Sequence, residues 1–169
     1  MTSIPEDFTQ VLSFSRIPSM ISEQSLLQAQ DAWARGVEAI GRCSETQRQS
    51  EARSMLERLY DFSHPLMFKP TKAAQAPFRG SFEAALSYFI GGNPAFPEDA
   101  GFALQPWVRV RFENASLSFD ENFAFAQGHY YFTPPEGTEL KVEYSFGYRA
   151  VENEGLKIFL HHSSLPFSV

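Results

Sequence analysis

The sequence predicts an α+β domain, because helical and strand periodicities occupy different parts of the chain. In the first half, apolar side chains recur at helical spacing, whereas from Trp107 onward they alternate with polar ones. Helices that precede a run of hairpin-linked strands are typical of an antiparallel sheet wrapped over the helices. The length of 169 residues fits one such unit, so we predict a single domain over residues 1–169, with a lead segment over residues 1–20.

Three helices are predicted before the four long strands. The first covers residues 22–40, with Ser22 as its N-cap and Gly41 at its end. The second covers residues 44–62, where the exposed face is charged and the opposite face apolar. A short third helix follows in "SFEAALSYFIGG", capped by Ser81 and stopped by its two glycines.

Strands account for the remaining regular structure. "LMFK", just before Pro70, predicts a short strand between the second and third helices. Four longer strands are indicated by "WVRVRFE", by the segment between the turns "DEN" and "PPEG", by "ELKVEYSFGYR" and by "LKIFLHHSS" after the turn "ENEG". These four are expected to form hairpins in chain order.

Charge and composition limit the classes of function. The net charge of −6, from 14 basic and 20 acidic side chains, lacks the basic footprint that nucleic-acid binding requires. No apolar run reaches the roughly 18 residues of a membrane span, and "MTSIPEDFTQ" lacks the pattern of a secretory signal. Cys43 is the single cysteine, which excludes an intramolecular disulfide. We therefore predict a cytoplasmic protein without nucleic-acid or membrane partners. Its 17 phenylalanines predict an aromatic interior or interface.

The last strand ends in four consecutive side chains that can donate or accept protons. Residues two apart on a strand share a face, so His161 is paired with Ser163, and His162 with Ser164. Counting from Ile158, strict alternation favours the second pair for the interior, although a bulge would reverse the assignment. The plain alternative is a polar strand end whose side chains bond to backbone.

Metal and serine-nucleophile chemistry find little support in the spacing. Adjacent strand residues point to opposite faces, so His161 and His162 are poorly placed to share one ion. No spacing matches a zinc motif, and no G-x-S-x-G is present. We expect no cofactor; Mn²⁺ or Zn²⁺ held by residues distant in sequence is the less favoured alternative.

Several stretches together resemble the iota class of carbonic anhydrases found in algae, cyanobacteria and other bacteria. They are "LMFKPT", "FRGSFEAALSYFIGG", "GFALQPWVRVRFENA", "VEYSFGY" and "LKIFLHHSSLPF". Many members of this class carry a third histidine where this chain has Leu160, which weakens any three-histidine metal site. The resemblance implies a cone-shaped fold of the nuclear transport factor 2-like kind, similar to the association domain of calcium/calmodulin-dependent kinase II, and a homodimer.

The resemblance also implies the reaction and its residues. The activity would be the reversible hydration of CO₂ to bicarbonate and a proton, without metal, in a small polar pocket. The expected site residues are a Thr, a Tyr and one His-x-Ser pair, which match Thr71, Tyr88, His161, His162, Ser163 and Ser164. The pocket histidine, with an ordinary pKa of about 6.5, is expected to accept the proton of a water held by the hydroxyls.

A rival hypothesis comes from another class of function. Cone-shaped α+β domains also serve as small-ligand-binding or oligomerisation modules without catalysis, and a fold does not decide function. On that hypothesis Tyr88 is a packing residue and Thr71 a turn residue.

Overall fold

The computed structural model describes residues 21–168, and the lead segment predicted for residues 1–20 lies outside them. Helices come first and long strands last, so the α+β prediction is confirmed, while the single domain over the whole chain stays a prediction. The elements are α1 (Glu23–Arg42), α2 (Glu45–Leu59), β1 (Met67–Lys69), α3 (Phe82–Ile90), a 3₁₀ turn (Phe102–Leu104), β2 (Arg109–Phe119), β3 (Phe123–Thr133), β4 (Leu140–Val151) and β5 (Gly155–Ser164).

The predicted N-caps of α1 and α3 are confirmed. The Ser22 hydroxyl accepts a hydrogen bond from the Ser25 N–H, and the Ser25 side chain bonds back to the Ser22 backbone, which forms a capping box. The expected stop at Gly41 is wrong, since α1 continues to Arg42. A Cβ at Gly41 would lie 3.0 Å from the Ala103 carbonyl oxygen, so this glycine instead permits close approach of the 3₁₀ turn.

The second helix ends three residues earlier than residues 44–62 predicted. Its last residue is Leu59, and Tyr60 adopts extended backbone angles of −114° and 143°. Tyr60 forms a parallel bridge with Ile158, and the Asp61 N–H donates to the Ile158 carbonyl at 2.8 Å. The departure from helix carries the Tyr60 side chain into the core, where it is 1% exposed.

The five strands form one sheet in the order β1-β5-β4-β3-β2. The three predicted hairpins are antiparallel and join β2 to β3, β3 to β4 and β4 to β5. The short strand predicted in "LMFK" is β1, and it pairs parallel to β5 with Phe68 opposite His161. Because β1 lies beside β5, the strand that carries the polar C-terminal cluster has neighbours on both edges.

The sheet curls around one side chain of α1, Trp33. Its ring lies 5.6 to 5.8 Å, centroid to centroid, from Phe112 of β2, Tyr130 of β3, Phe146 of β4 and His161 of β5. In a flat sheet β2 and β5 would be roughly 14 Å apart, since neighbouring strands are about 4.8 Å apart. One indole can touch all four strands only if the sheet is strongly curved.

The helices fill the inside of this curve. α1 buries Leu26, Trp33, Val37 and Ile40 completely or nearly so. α2 packs behind α1, and a Cβ on Gly36 would lie 2.7 Å from Met55, so the two helices are in close contact there. Within residues 21–168 no helix is long and apolar enough to cross a membrane.

Candidate active site

A β-bulge in β5 decides which side chains of the C-terminal cluster face the interior. Ile158 pairs with Tyr148 and Leu160 with Gly147, so Phe159 is an extra residue without a partner. A Cβ on Gly147 would lie 2.9 Å from the Phe159 ring, and the absent side chain leaves room for the bulge. The bulge shifts the alternation by one residue between Ile158 and His161.

The expectation from strict alternation, that His162 and Ser164 face the interior, is therefore wrong. His161 and Ser163 are buried, at 2% and 3% exposed, while His162 is exposed and Ser164 half-exposed. The outward pair lines a surface depression of about 260 Å³ together with His129, Glu143 and other residues of the outer sheet face. The two His-x-Ser pairs thus lie on opposite sides of the same strand.

His161 is enclosed by aromatic rings. Its imidazole stacks on Phe68 at 4.5 Å between centroids and an interplanar angle of 27°. Phe146 lies at 4.1 Å and Trp33 meets the imidazole edge-on at 5.6 Å. Burial in these surroundings lowers the pKa of His161 well below its ordinary value, and the neighbouring His162 adds to the effect. The ring is therefore neutral near neutral pH.

Both nitrogens of His161 have hydroxyl neighbours. Nδ1 lies 2.9 Å from the oxygen of the Tyr60 hydroxyl. That oxygen accepts a hydrogen bond from the Trp33 indole N–H at 2.8 Å. Nε2, the opposite ring nitrogen, lies 3.4 Å from the Ser163 hydroxyl and 3.5 Å from the Tyr130 hydroxyl. The Nδ1 contact has the length of an ordinary hydrogen bond, whereas the two Nε2 contacts are long for hydrogen bonds.

Tyr130 links the predicted site residues to one another. Burial raises the pKa of its phenol, and hydrogen bonds with the side chains of Ser163 and Thr71 partly offset this. Tyr88 lies close enough to affect the same group. Burial likewise raises the pKa of Tyr88, whose hydroxyl also bonds to the backbone of Lys72 and Thr71. Thr71, His161 and Ser163 therefore lie beside the Tyr130 hydroxyl, and Tyr88 lies next to Thr71.

The loop that carries Thr71 is fixed by a buried arginine. Arg79 is fully buried, and its guanidinium donates two hydrogen bonds to Asp99 at 2.6 and 2.9 Å. Glu98 accepts the backbone N–H groups of Ala76, Gln75 and Ala74, which lower its pKa to about 2. Asp99 also accepts from the Ser87 hydroxyl at 2.6 Å, so the loop is joined to the helix that carries Tyr88.

Three residues of this site were not predicted from the sequence: Trp33, Tyr60 and Tyr130. Each is aromatic with one polar group, and such side chains usually find a partner when buried. In "HYYF" alternation alone does not tell whether Tyr130 or Tyr131 faces inward. Tyr60 looked like one more apolar residue of a helix that in fact ends before it.

The donor set here is one imidazole and several hydroxyls. Within residues 21–168, no group of three or more His, Cys, Asp or Glu side chains is placed to hold a metal ion. Zinc sites in proteins typically use four such ligands, or three in catalytic sites. The arrangement fits hydrogen bonding to a small polar molecule better than coordination of Mn²⁺ or Zn²⁺.

Comparison with known proteins agrees with this picture. The sequence model of a family described as metal-independent carbonic anhydrase matches residues 24–165. A protein of Nostoc sp. strain PCC 7120, named metal-independent carbonic anhydrase, is 34% identical over 153 residues, which are 87% of this chain and 75% of that protein. The crystal structure of the iota-carbonic anhydrase from a cyanobacterium, complexed with bicarbonate, has a TM-score of 0.82 at 32% identity, over 88% of this chain and 94% of that one.

More distant structures show the fold alone. A putative calcium/calmodulin-dependent kinase II association domain from Xanthomonas campestris has a TM-score of 0.61 at 19% identity, over 90% of this chain and 93% of the other. A nuclear transport factor 2-like protein from Salmonella enterica has a TM-score of 0.54 at 11% identity, over 86% and 91% of the two chains. The predicted nuclear transport factor 2-like fold is confirmed.

Proposed function

This chain belongs to the metal-independent carbonic anhydrase family, and we propose that its reaction takes place at the hydroxyl cluster around His161. The protein is a carbonic anhydrase, which hydrates CO₂ reversibly to bicarbonate and a proton without a metal cofactor. The observation that carries the proposed site is the position of Thr71 and Ser163 at the Tyr130 hydroxyl, beside the buried imidazole of His161 and with Tyr88 next to Thr71.

CO₂ hydration requires an apolar surface and hydrogen-bond donors in the same site. CO₂ has no net charge, and the rings of Phe68 and Phe146 beside His161 provide an apolar wall for it. As water adds, negative charge grows on the CO₂ oxygens, and preorganised hydroxyl donors can stabilise it where water is excluded. The hydroxyls of Thr71, Tyr88 and Ser163 are suited to orient the attacking water and to bind bicarbonate through its oxygens.

A neutral His161 can serve this reaction in one of two ways. It can take the proton of the attacking water as a general base, which typically contributes about 10²- to 10⁴-fold. It can also donate a hydrogen bond to an oxygen of CO₂ or bicarbonate. Which of the two applies depends on which ring nitrogen carries the hydrogen.

A cavity beside Tyr88 supports a route to the cluster. It has a volume of about 240 Å³, and its walls include Lys72, Asp99, Phe102 and Gln105. This is several times the roughly 30 Å³ that one water occupies in the liquid. We propose that CO₂ and bicarbonate exchange with solvent through this cavity, past the Tyr88 hydroxyl.

We also propose a homodimer. The family resemblance is the first support, and the outer face of the sheet supplies a surface for it. Phe125 is 42% exposed there, and the Phe159 ring lies beside both Phe125 and Phe123. Light scattering on the purified chain and on Phe125→Glu tests this, since a charge at the centre of such an interface should dissociate it. Cytoplasmic localisation stays a prediction.

The experiment that tests the function is stopped-flow CO₂ hydration on chelator-treated protein, with metal content measured on the same sample. Rapid hydration without metal is expected. Hydration that returns only on addition of Mn²⁺ or Zn²⁺ would contradict the metal-free site. A folded protein inactive under both conditions would favour the ligand-binding or oligomerisation module.

A further inference from the structure

The hydrogen bonds at Nδ1 of His161 determine its tautomer. The Trp33 indole nitrogen has a hydrogen and no lone pair to offer, so at 2.8 Å from the Tyr60 oxygen it can only donate. One lone pair of the Tyr60 oxygen is thereby occupied. The hydroxyl hydrogen of Tyr60 still needs an acceptor, because the side chain is 1% exposed and buried polar groups are rarely left unpaired.

Within residues 21–168, the other hydrogen-bond neighbour of the Tyr60 hydroxyl is Nδ1 of His161, at 2.9 Å. If Nδ1 carried a hydrogen, it would donate to the second lone pair, and the phenol hydrogen would have no acceptor. An unpaired buried donor is strongly disfavoured, because it gives up its hydrogen bond to water and gains none in the protein. The arrangement that satisfies all three groups is a chain in which Trp33 donates to Tyr60, and Tyr60 donates to Nδ1.

In a neutral imidazole one nitrogen accepts and the other carries the hydrogen. With Nδ1 as acceptor, the hydrogen is on Nε2, which faces the cluster of Ser163 and Tyr130. Its distances to their hydroxyls are 3.4 and 3.5 Å, so neither holds the N–H tightly. This N–H is free to turn to the oxygen of a molecule bound among the hydroxyls.

We propose that Trp33 and Tyr60 are positioning residues that hold His161 as the Nε2–H tautomer, so that its imidazole donates a hydrogen bond to an oxygen of CO₂ or bicarbonate. The proposal rests on the proposed site and replaces the general-base role with that of a donor. Hydration still releases one proton for each bicarbonate formed, and that proton passes to solvent or buffer base. An imidazole with Nε2 already protonated cannot accept it there without becoming a buried cation.

The tautomer can be read directly, without turnover. The chain has four histidines, and the variant His64→Gln/His129→Gln/His162→Gln leaves His161 alone. Long-range proton–nitrogen spectra of this protein, labelled with ¹⁵N histidine, distinguish a protonated ring nitrogen from one with a free lone pair. We expect Nε2 protonated and Nδ1 unprotonated at neutral pH. A protonated Nδ1, or an imidazolium, would overturn the proposal.

Tyr60→Phe in the same background removes the hydroxyl and keeps the ring. We expect the Nδ1–H tautomer to become populated and kcat to fall about tenfold, the worth of one lost hydrogen bond of about 1.4 kcal/mol, with KM little changed. Tyr148→Phe is the matched control, because Tyr148 is equally buried and its hydroxyl is not a neighbour of either His161 nitrogen. Unchanged spectra and kcat in Tyr60→Phe would exclude the positioning role of Tyr60.

A second pair of variants separates donor from base. His161→Gln keeps an N–H donor but has no basic nitrogen, whereas His161→Ala has neither. The donor role predicts about tenfold more activity in the glutamine variant than in the alanine variant. Equal loss in both would overturn it. A chain with no hydration activity at all would contradict the proposed function, and the spectra would still decide the tautomer.

Discussion

The two faces of β5 present the same pair of side chains to different surroundings. On the inner face, His161 and Ser163 lie among aromatic rings and hydroxyls, and the imidazole has three hydroxyl neighbours. On the outer face, His162 is exposed in a shallow depression beside His129 and Glu143. Residue type is equal on both faces, so what distinguishes a candidate catalytic group here is desolvation and fixed hydrogen bonding.

The largest expected difference between the faces is the effect of removing each imidazole. His161→Ala should lower kcat/KM for CO₂ hydration by about 10²-fold or more, because it deletes the central group of the cluster. His162→Ala should stay within about twofold of the parent protein, since its side chain contacts solvent. Stopped-flow hydration measures both, with circular dichroism to verify folding. Similar losses in the two variants would remove the distinction between the faces.

Removal of the Ser163 or Ser164 hydroxyl tests the same difference between the faces, with a smaller expected effect on kcat/KM. Ser163→Ala removes a hydroxyl that neighbours both His161 and Tyr130, and we expect about a tenfold loss of kcat/KM. Ser164→Ala serves as its control on the outer face and should change little. If Ser163→Ala were fully active and Ser164→Ala were not, the inner face would not be the reaction site.

Much of the fold could be predicted because its signals are local. Caps such as Ser22 and Ser81 act within one helical turn, and hairpin turns act between adjacent strands, so the sequence nearby contains the information. The end of α2 could not be predicted in this way. Tyr60 leaves the helix to pair with Ile158, a partner about a hundred positions away, and tertiary pairing of that kind overrides helix propensity.

The candidate site was predictable in its residue types and not in its orientation. The two His-x-Ser pairs followed from strand spacing, and Thr71 and Tyr88 from the resemblance to the iota class. The inward pair depends on a bulge that "KIFLHH" does not reveal. The room for that bulge is on the neighbouring strand, at Gly147. The partners that surround His161 come from α1, the end of α2 and β3, so their convergence is a property of the folded chain.

The faces should also differ in how they affect stability against pH. The pKa of His161 is lowered in the folded state, so below pH of about 6.5 the unfolded chain binds a proton that the folded chain does not. The free energy of unfolding should therefore fall as pH is lowered from 7 to 5, by up to about 1.4 kcal/mol per pH unit.

Urea unfolding at several pH values measures this slope. His161→Gln should flatten it, whereas His162→Gln should keep it, because that side chain is exposed in the folded protein. The carboxyl groups whose pKa values are lowered, such as Glu98, contribute below this window. An unchanged slope in His161→Gln would mean that His161 is not held neutral by the fold.

The smallest effect on activity is expected from deletion of Phe159, the extra residue that decides which His-x-Ser pair faces inward. Deletion of Phe159 removes the extra residue, and Ile158, Leu160 and His161 then alternate regularly with Ile158 and His161 both inward. The pairs Tyr148–Ile158 and Gly147–Leu160 become consecutive, so the remaining ladder needs no change of register. We expect hydration activity within about threefold of the parent. Stability should fall by about 1–2 kcal/mol, because the edge-on contacts of Phe159 with Phe123 and Phe125 are lost.

Deletion of Phe125 is the matched control for that variant. Phe125 is also an aromatic residue of the outer face, but it pairs regularly with Ser118 and Gly147, without a bulge. Its removal forces a one-residue slip that turns the inward residues of β3 outward, and we expect loss of the folded state. If deleting Phe159 were equally damaging, the bulge would be required for the fold itself. If that variant folded but lost its activity, and the activity of the parent depended on His162, strict alternation would have been the correct rule for this strand.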